Sequence, residues 1–324
     1  MNINDVYSLI EQEMDEVYAA LTKNLDSEIE MVNEVASYVF ESGGKRLRPV
    51  FLVLAAKLAG YNGNRSSVLS GVVEYIHTAT LIHDDVIDGA KYRRGKDSVN
   101  RVFGNDITVL CGDFLYSRAF VNLVRDGDPE IQLILANAAK TMSEGEVFQL
   151  IKTADFFLKF EDYEKIIFSK TAVLFSACCE IGGILGGLDK KKVSALKDFG
   201  KYVGLAFQMS DDILDYLGNP DYTGKNPGTD LKEGKMTLPM ILLRQCLKKD
   251  EIKIIRDIFT SEDYSEKNLE YILTLMQNNN IKEKAEKFVD DYIFKAKTLL
   301  NEFDDNPYKD SLLFLADYMV KRDR

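Results

Sequence analysis

The chain of 324 residues predicts an all-α fold. Apolar residues recur at three- and four-residue spacing along almost the whole length, and sustained strand-type alternation is missing. The interruptions carry turn chemistry, most clearly at Gly60-Tyr61-Asn62-Gly63, Asp126-Gly127-Asp128-Pro129 and Gly218-Asn219-Pro220. Hydrophobic residues make up 46% of the chain, enough for a sizeable core and too many for a disordered polypeptide. No Pro/Gly/Ser-rich linker or abrupt change of composition divides it, so one domain over 1–324 is expected.

Helices are expected over roughly 5–22, 28–41, 45–60, 66–88, 106–125, 129–152, 161–187, 191–218 and 235–247, with three or four more in the charged remainder. The 45–60 segment begins in Gly43-Gly44-Lys45 and stops at Gly60. The 66–88 segment runs into carboxylates and Gly89, and 106–125 ends before Asp126-Gly127. Pro129 opens the next helix, as proline does at a first helical position. Adjacent Cys178-Cys179 reads as small core filler in 161–187, and Gly182, Gly183, Gly186 and Gly187 at its end read as close helix packing or a cap. No strand precedes those glycines, and Gly43-Gly44-Lys45 lacks the phosphate-loop spacing, so no nucleotide site is expected.

One acidic pattern occurs twice: Asp84-Asp85-Val86-Ile87-Asp88 and Asp211-Asp212-Ile213-Leu214-Asp215. Helical positions i and i+4 lie about 40° apart around the axis, so Asp84 projects with Asp88 and Asp211 with Asp215. Carboxylates gathered in this way repel one another and lose solvation unless cations neutralise them, and Mg²⁺ suits an all-oxygen site shared with a phosphate. A solvated acidic face would explain one copy. Two copies, each among apolar residues, make six carboxylates of a cation site the better reading.

The loop after each acidic pattern turns basic. Gly89 to Asp97 contains Lys91, Arg93, Arg94 and Lys96, and Gly218 to Gly234 contains Lys225 and Lys232. A phosphate could lie there between metal and cations. Residues 219–234 are the candidate lid. Lys45 and Arg48 share a helix face at i, i+3, while Gln208 stands one turn before Asp211. His83 reads as a partner for a neighbouring carboxylate, and Glu144 and Glu146 as polar helix positions.

In this order GGKRLRP, HTATLIHDDVID, RRG, GDFLYSRAF, EGEVFQL, SKTA, FQMSDDILDY, GKNPGTDLKEGK and TLP make the chain resemble the all-trans polyprenyl diphosphate synthases of the isoprenoid synthase fold. The likeness covers nearly the whole chain and is nearest to the octaprenyl branch, whose members make quinone side chains. It implies three Mg²⁺ ions held by Asp84, Asp85, Asp88, Asp211, Asp212 and Asp215 on the diphosphate of an allylic primer. Arg93, Lys170, Lys225 and Lys235 would grip that diphosphate. Lys45, Arg48, His77 and Arg94 would bind isopentenyl diphosphate, and Thr171 and Gln208 would line the reacting carbons. A homodimer is also implied, with transient membrane contact for release of an apolar product.

Ile76, Thr80, Asp84 and Asp88 form an i, i+4 stripe, with Ala79 beside it. In the family resembled, short-chain members block the product tunnel with aromatics four or five residues before the first aspartate. Thr80 and Ala79 stand there, so a product near C40, grown from farnesyl or geranylgeranyl diphosphate, is expected, and Ala79→Tyr should shorten it. The net charge of −11 leaves no basic stripe for nucleic acid. No basic N-terminal region with an apolar stretch and no run long enough for a bilayer is evident, so a cytosolic protein is expected. The rivals are a shorter-chain (C15–C35) synthase, a terpene cyclase, a head-to-head synthase and a non-catalytic partner subunit. A di-iron bundle would need Glu-x-x-His pairs, which are absent.

Overall fold

The computed structural model describes residues 1–23, 27–41, 43–93, 95–218 and 228–321. Among these, the sole β-ladder is an antiparallel pairing of Tyr92–Arg93 with Lys96–Asp97. Helices span Ile3–Leu9, Glu11–Lys23, Glu30–Glu41, Leu47–Leu58, Arg65–Ile87, Val99–Phe103, Asn105–Asp126, Pro129–Lys152, Phe160–Ile167, Val173–Leu185, Lys190–Leu217, Thr229–Lys232, Leu238–Cys246, Lys249–Ser261, Glu266–Asn278, Ile281–Leu299 and Pro307–Val320. The all-α expectation is met.

Internal contacts group the chain into two units. The first comprises Met1–Ala139, Ala177–Lys197 and Phe303–Leu312; the second comprises Lys140–Ser176, Asp198–Glu302 and Leu313–Arg324. In the first, the Arg65–Ile87 helix packs on Asn105–Asp126, Glu11–Lys23 and Leu47–Leu58. Leu69, Val72, Val73, Ile76, Ala79 and Ile82 are its buried apolar residues. The second unit's contacts include those of Leu238–Cys246 and Glu266–Asn278 with Ile281–Leu299.

The glycines near 182–187 serve packing and termination. A Cβ at Gly186 would lie 2.1 Å from the Cβ of Ala59 and 2.5 Å from its carbonyl oxygen, and one at Gly182 would lie 2.5 Å from the Cβ of Ala55. Gly187 takes φ +68°. The Gly187 amide donates to the Ile184 carbonyl at 2.9 Å and the Leu188 amide to the Gly183 carbonyl at 3.2 Å, which closes the helix end. Gly186→Ala should lower stability by about 1–3 kcal/mol in chemical denaturation, because backbone rather than a flexible tip must yield. A loss within error would show that the helices separate freely there.

The structure departs from the sequence expectation in four places. The expected 5–22 helix breaks at Ile10, where φ is −126°. Val99–Phe103 is an additional helix. The expected 161–187 helix contains a π-helical turn over Phe168–Ala172, which includes Lys170 and Thr171. Finally, two helical stretches are long and apolar enough to cross a membrane by length and composition, contrary to expectation: Asn105–Asp126 with mean hydropathy 1.3 and Phe160–Leu185 with 1.4. The second is 72% buried, as a core helix is. The first is only 39% buried and exposes Val109, Leu110, Phe120, Val121 and Val124.

Candidate active site

In the first unit the Arg65–Ile87 helix presents Asp84 and Asp85 in its last turn, with Asp88 as its C-cap. The three carboxylates differ sharply: Asp84 is half-buried, Asp88 is exposed, and Asp85 is 0% exposed. Asp85 Oδ1 accepts from Arg93 Nε at 2.6 Å, while its Oδ2 is buried with no hydrogen-bond partner. Burial raises the Asp85 pKa and the Arg93 cation opposes the rise. The basic loop is held by the Tyr92–Arg93 and Lys96–Asp97 ladder and by Tyr38, whose hydroxyl donates to the Asp97 carbonyl at 2.7 Å. Arg94 lies outside the described residues.

Lys45 is exposed and Arg48 half-buried. Arg48 Nη1 meets His77 Nε2 at 2.9 Å; a guanidinium can only donate, so this imidazole nitrogen accepts. His83 stands apart from these groups. Its Nε2 is 3.1 Å from the Val109 carbonyl oxygen, to which it donates, and 3.6 Å from Asp113 Oδ1, and its ring stacks on Tyr116 at 6.1 Å, so a backbone carbonyl rather than a carboxylate is its hydrogen-bond partner.

Of the expected chain-length residues, Ile76 and Ala79 are fully buried. Thr80 alone keeps accessible surface, and its hydroxyl donates to the His77 carbonyl at 2.7 Å. Thr80 is therefore the one of the three at which added bulk meets accessible space directly.

The second unit builds a chain of hydrogen bonds on one of its acidic residues. Thr171 Oγ1 donates to Gln208 Oε1 at 2.7 Å, Gln208 Nε2 to Asp212 Oδ1 at 2.9 Å, and Tyr163 Oη to Asp212 Oδ2 at 2.6 Å. Asp212 is 5% exposed. Burial raises its pKa, Tyr163 and Gln208 oppose the rise, and Asp211 and Asp215 add to it. Asp211 and Asp215 are half-buried. Asp215 accepts twice from the next segment, through its carbonyl from the Gly228 amide at 2.8 Å and through Oδ2 from the Asp230 amide at 3.0 Å.

A cavity of about 110 Å³ in this unit is lined by residues that include Lys170, Gln208, Asp212, Asp230, Lys235 and Tyr163. Lys170 Nζ rests 3.0 Å from Glu146 Oε2 and Lys235 Nζ 2.6 Å from Glu233 Oε2. Each cation therefore has a resting carboxylate. Glu146 thus pairs with Lys170, whereas Glu144 pairs with Lys140 one turn away on its own helix. Asp230 is a further acid, half-buried; desolvation, then Asp212 and Asp215, raise its pKa. Lys225 and residues 219–227 of the expected lid lie outside the described residues.

Within each acidic pattern the second aspartate turns into the protein. Asp85 is taken by Arg93, and Asp212 by Tyr163 and Gln208. Accordingly, among the described residues no group of three or more His, Cys, Asp or Glu side chains stands ready to hold a metal ion. The donor chemistry nevertheless suits a hard divalent cation: both patterns offer carboxylate oxygens, and Asp84, Asp88, Asp211 and Asp215 all keep accessible surface.

The profile of the polyprenyl synthetase family matches residues 29–276. The chain belongs to this polyprenyl synthetase family. It is a polyprenyl diphosphate synthase, a prenyltransferase. It is 38% identical to octaprenyl diphosphate synthase of Escherichia coli, covering 100% of both chains. Among solved structures, a decaprenyl diphosphate synthase from Rhodobacter capsulatus superposes with a TM-score of 0.95 at 37% identity, covering 99% of each chain. A polyprenyl synthase from Caulobacter crescentus, complexed with calcium and isoprenyl diphosphate, gives 0.93 at 37%, covering 100% of this chain and 98% of its own. Polyprenyl synthetases use a divalent metal with diphosphate substrates, and the donor set described above accords with that.

Tyr163, Asp230 and Glu233 carry parts of this site that the sequence did not single out, and Glu146, read there as a polar helix position, pairs with Lys170. Tyr163 has no spacing that ties it to Asp212, which lies 49 residues on. Asp230 sits inside the GKNPGTDLKEGK motif, but the sequence cannot show that it lines the cavity beside Asp212.

Proposed function

We propose that this polyprenyl synthetase adds isopentenyl diphosphate head to tail onto a farnesyl or geranylgeranyl diphosphate primer and stops near C40, the product supplying a quinone side chain. It makes a long-chain all-trans polyprenyl diphosphate. The length near C40 is supported by full-length similarity to an octaprenyl diphosphate synthase, against the decaprenyl likeness of one solved neighbour. The reaction is carried by one observation above the others: Lys170, Lys235, Gln208 and Asp212 line a single cavity.

Asp84, Asp88, Asp211 and Asp215 are proposed as the direct Mg²⁺ ligands, three ions in all, with Asp85 and Asp212 orienting their neighbours. When bound, Mg²⁺ neutralises charge that builds on the leaving diphosphate oxygens. Lys170, Lys235, Arg93 and Lys225 act on the same oxygens as fixed cations, and Lys170 and Lys235 exchange Glu146 and Glu233 for the diphosphate as it enters. Thr171 and Gln208, fixed to each other, line the reacting carbons. Lys45, Arg48, His77 and Arg94 hold isopentenyl diphosphate so that its double bond meets the allylic carbon. The proton then leaves to the released diphosphate, so no protein base is required. Apolar walls keep water from the allylic cation.

A homodimer is supported by the exposed apolar row Val109, Leu110, Phe120, Val121 and Val124 on the Asn105–Asp126 helix, which a second copy would cover. The same reading places the enzyme in the cytosol with transient membrane contact at product release.

Incubation with Mg²⁺, farnesyl diphosphate and labelled isopentenyl diphosphate, followed by mass analysis of dephosphorylated products, should give a ladder ending near C40. Thr80→Tyr should end that ladder several isoprene units earlier. A ladder stopping at C15 or C20 in the unmutated enzyme refutes the length, and no condensation from folded protein favours the partner-subunit or cyclase reading.

A further inference from the structure

Arg46, in the middle of the GGKRLRP run, has no role in the reading above. Its backbone lies in the left-handed region, φ 44° and ψ 40°, where residues with a Cβ are uncommon. Gly43 and Gly44 before it also take positive φ, 76° and 132°. This conformation turns the Arg46 side chain into the first unit, while its neighbour Lys45 stays exposed.

Inside, Arg46 forms an ion pair with Glu74, the two side chains 4% and 3% exposed. Its second terminal nitrogen donates to the Phe40 carbonyl at 2.8 Å, and the guanidinium lies 5.6 Å from the Phe40 ring centroid. Glu74 stands on the Arg65–Ile87 helix three residues before His77, which receives Arg48. Positions i and i+3 share a helix face, so one face of this helix seats both arginines. The Tyr7 hydroxyl donates to the Lys45 carbonyl and fixes the same loop from another element.

A buried ion pair is a poor device for stability alone, since well-packed apolar residues of similar size commonly do as well or better. It does impose geometry: a guanidinium reaching one carboxylate and one carbonyl admits few orientations. We infer that Arg46 and Glu74 are a positioning pair that holds the left-handed turn and thereby sets Lys45 and Arg48 for isopentenyl diphosphate. The inference rests on the proposed roles of those two cations.

The double variant Arg46→Met/Glu74→Leu removes both charges together and leaves neither stranded. The expected result is a KM for isopentenyl diphosphate raised about tenfold or more, with kcat and the KM for the allylic primer changed less than about threefold, the pattern of lost substrate binding. Its melting temperature should stay within a few degrees of the unmutated enzyme. Arg46→Lys, which retains charge but not the two-acceptor fork, should fall between them. Unchanged KM values in the double variant overturn the inference, as does a parallel fall of every kinetic parameter together with the melting temperature. Arg48→Ala separates the two layers. If it raises the KM for isopentenyl diphosphate while the double variant does not, only the pair's role is lost; if it leaves that KM unchanged, the ligand assignment fails and the pair's role with it.

Discussion

Alanine at Asp84 or at Asp211 should lower turnover by about a thousandfold, the scale on which a preorganised electrostatic contact to a developing charge acts. The helical circular dichroism spectrum and melting temperature should remain near those of the unmutated enzyme. Both side chains are half-buried residues on helix faces, so truncation leaves no fully desolvated cavity. The second aspartates should behave differently. Asp85→Ala strips Arg93 of its carboxylate, and Asp212→Ala strips Tyr163 and Gln208 of theirs, so each should add a stability loss of about 1–3 kcal/mol to the loss of activity. Steady-state kinetics with thermal denaturation on all four variants decides the matter. If Asp84→Ala unfolds, or Asp85→Ala is as stable as the unmutated enzyme, the division into ligands and orienting residues is wrong.

That division shows where sequence reasoning reached and where it ended. The i, i+4 spacing pairs Asp84 with Asp88 and Asp211 with Asp215 by helical geometry alone, and both patterns do lie on helices. What each intervening aspartate touches is tertiary information. Arg93 reaches Asp85 across a loop ladder, and Tyr163 reaches Asp212 from a separate helix. The π-helical turn at Phe168–Ala172 was likewise invisible, since one extra residue in a turn leaves the apolar pattern nearly unchanged. That turn contains Lys170 and Thr171, so the local departure from regular geometry coincides with two side chains proposed to act on substrate. Burial is likewise tertiary information: the spacing puts Ala79 and Thr80 side by side before the aspartate, yet Ala79 is fully buried and Thr80 is not.

The desolvated acids Asp212 and Asp230 of the second unit make stability depend on pH and on cations in a direction that can be worked out. Burial raises the pKa values of Asp212 and Asp230, and their neighbouring carboxylates add to the rise. In the unfolded chain both return to the ordinary aspartate range, near about 4. Between that range and their raised folded values the native state binds more protons than the unfolded state, so stability falls as pH rises. Their contribution is thus fully present below about pH 4 and lost as pH climbs through the folded values. Metal-free enzyme should therefore lose stability as pH rises from the ordinary aspartate range through the raised folded values. Asp230→Asn removes one acid and its repulsion on Asp212, and its melting temperature should fall less over the same interval. Added Mg²⁺ with inorganic diphosphate should flatten the curve of the unmutated enzyme, because cations favour the ionised carboxylates. Parallel curves for the unmutated enzyme and Asp230→Asn would sink this account and imply that the Thr229–Lys232 turn holds Asp230 where solvent, not protein, sets its ionisation.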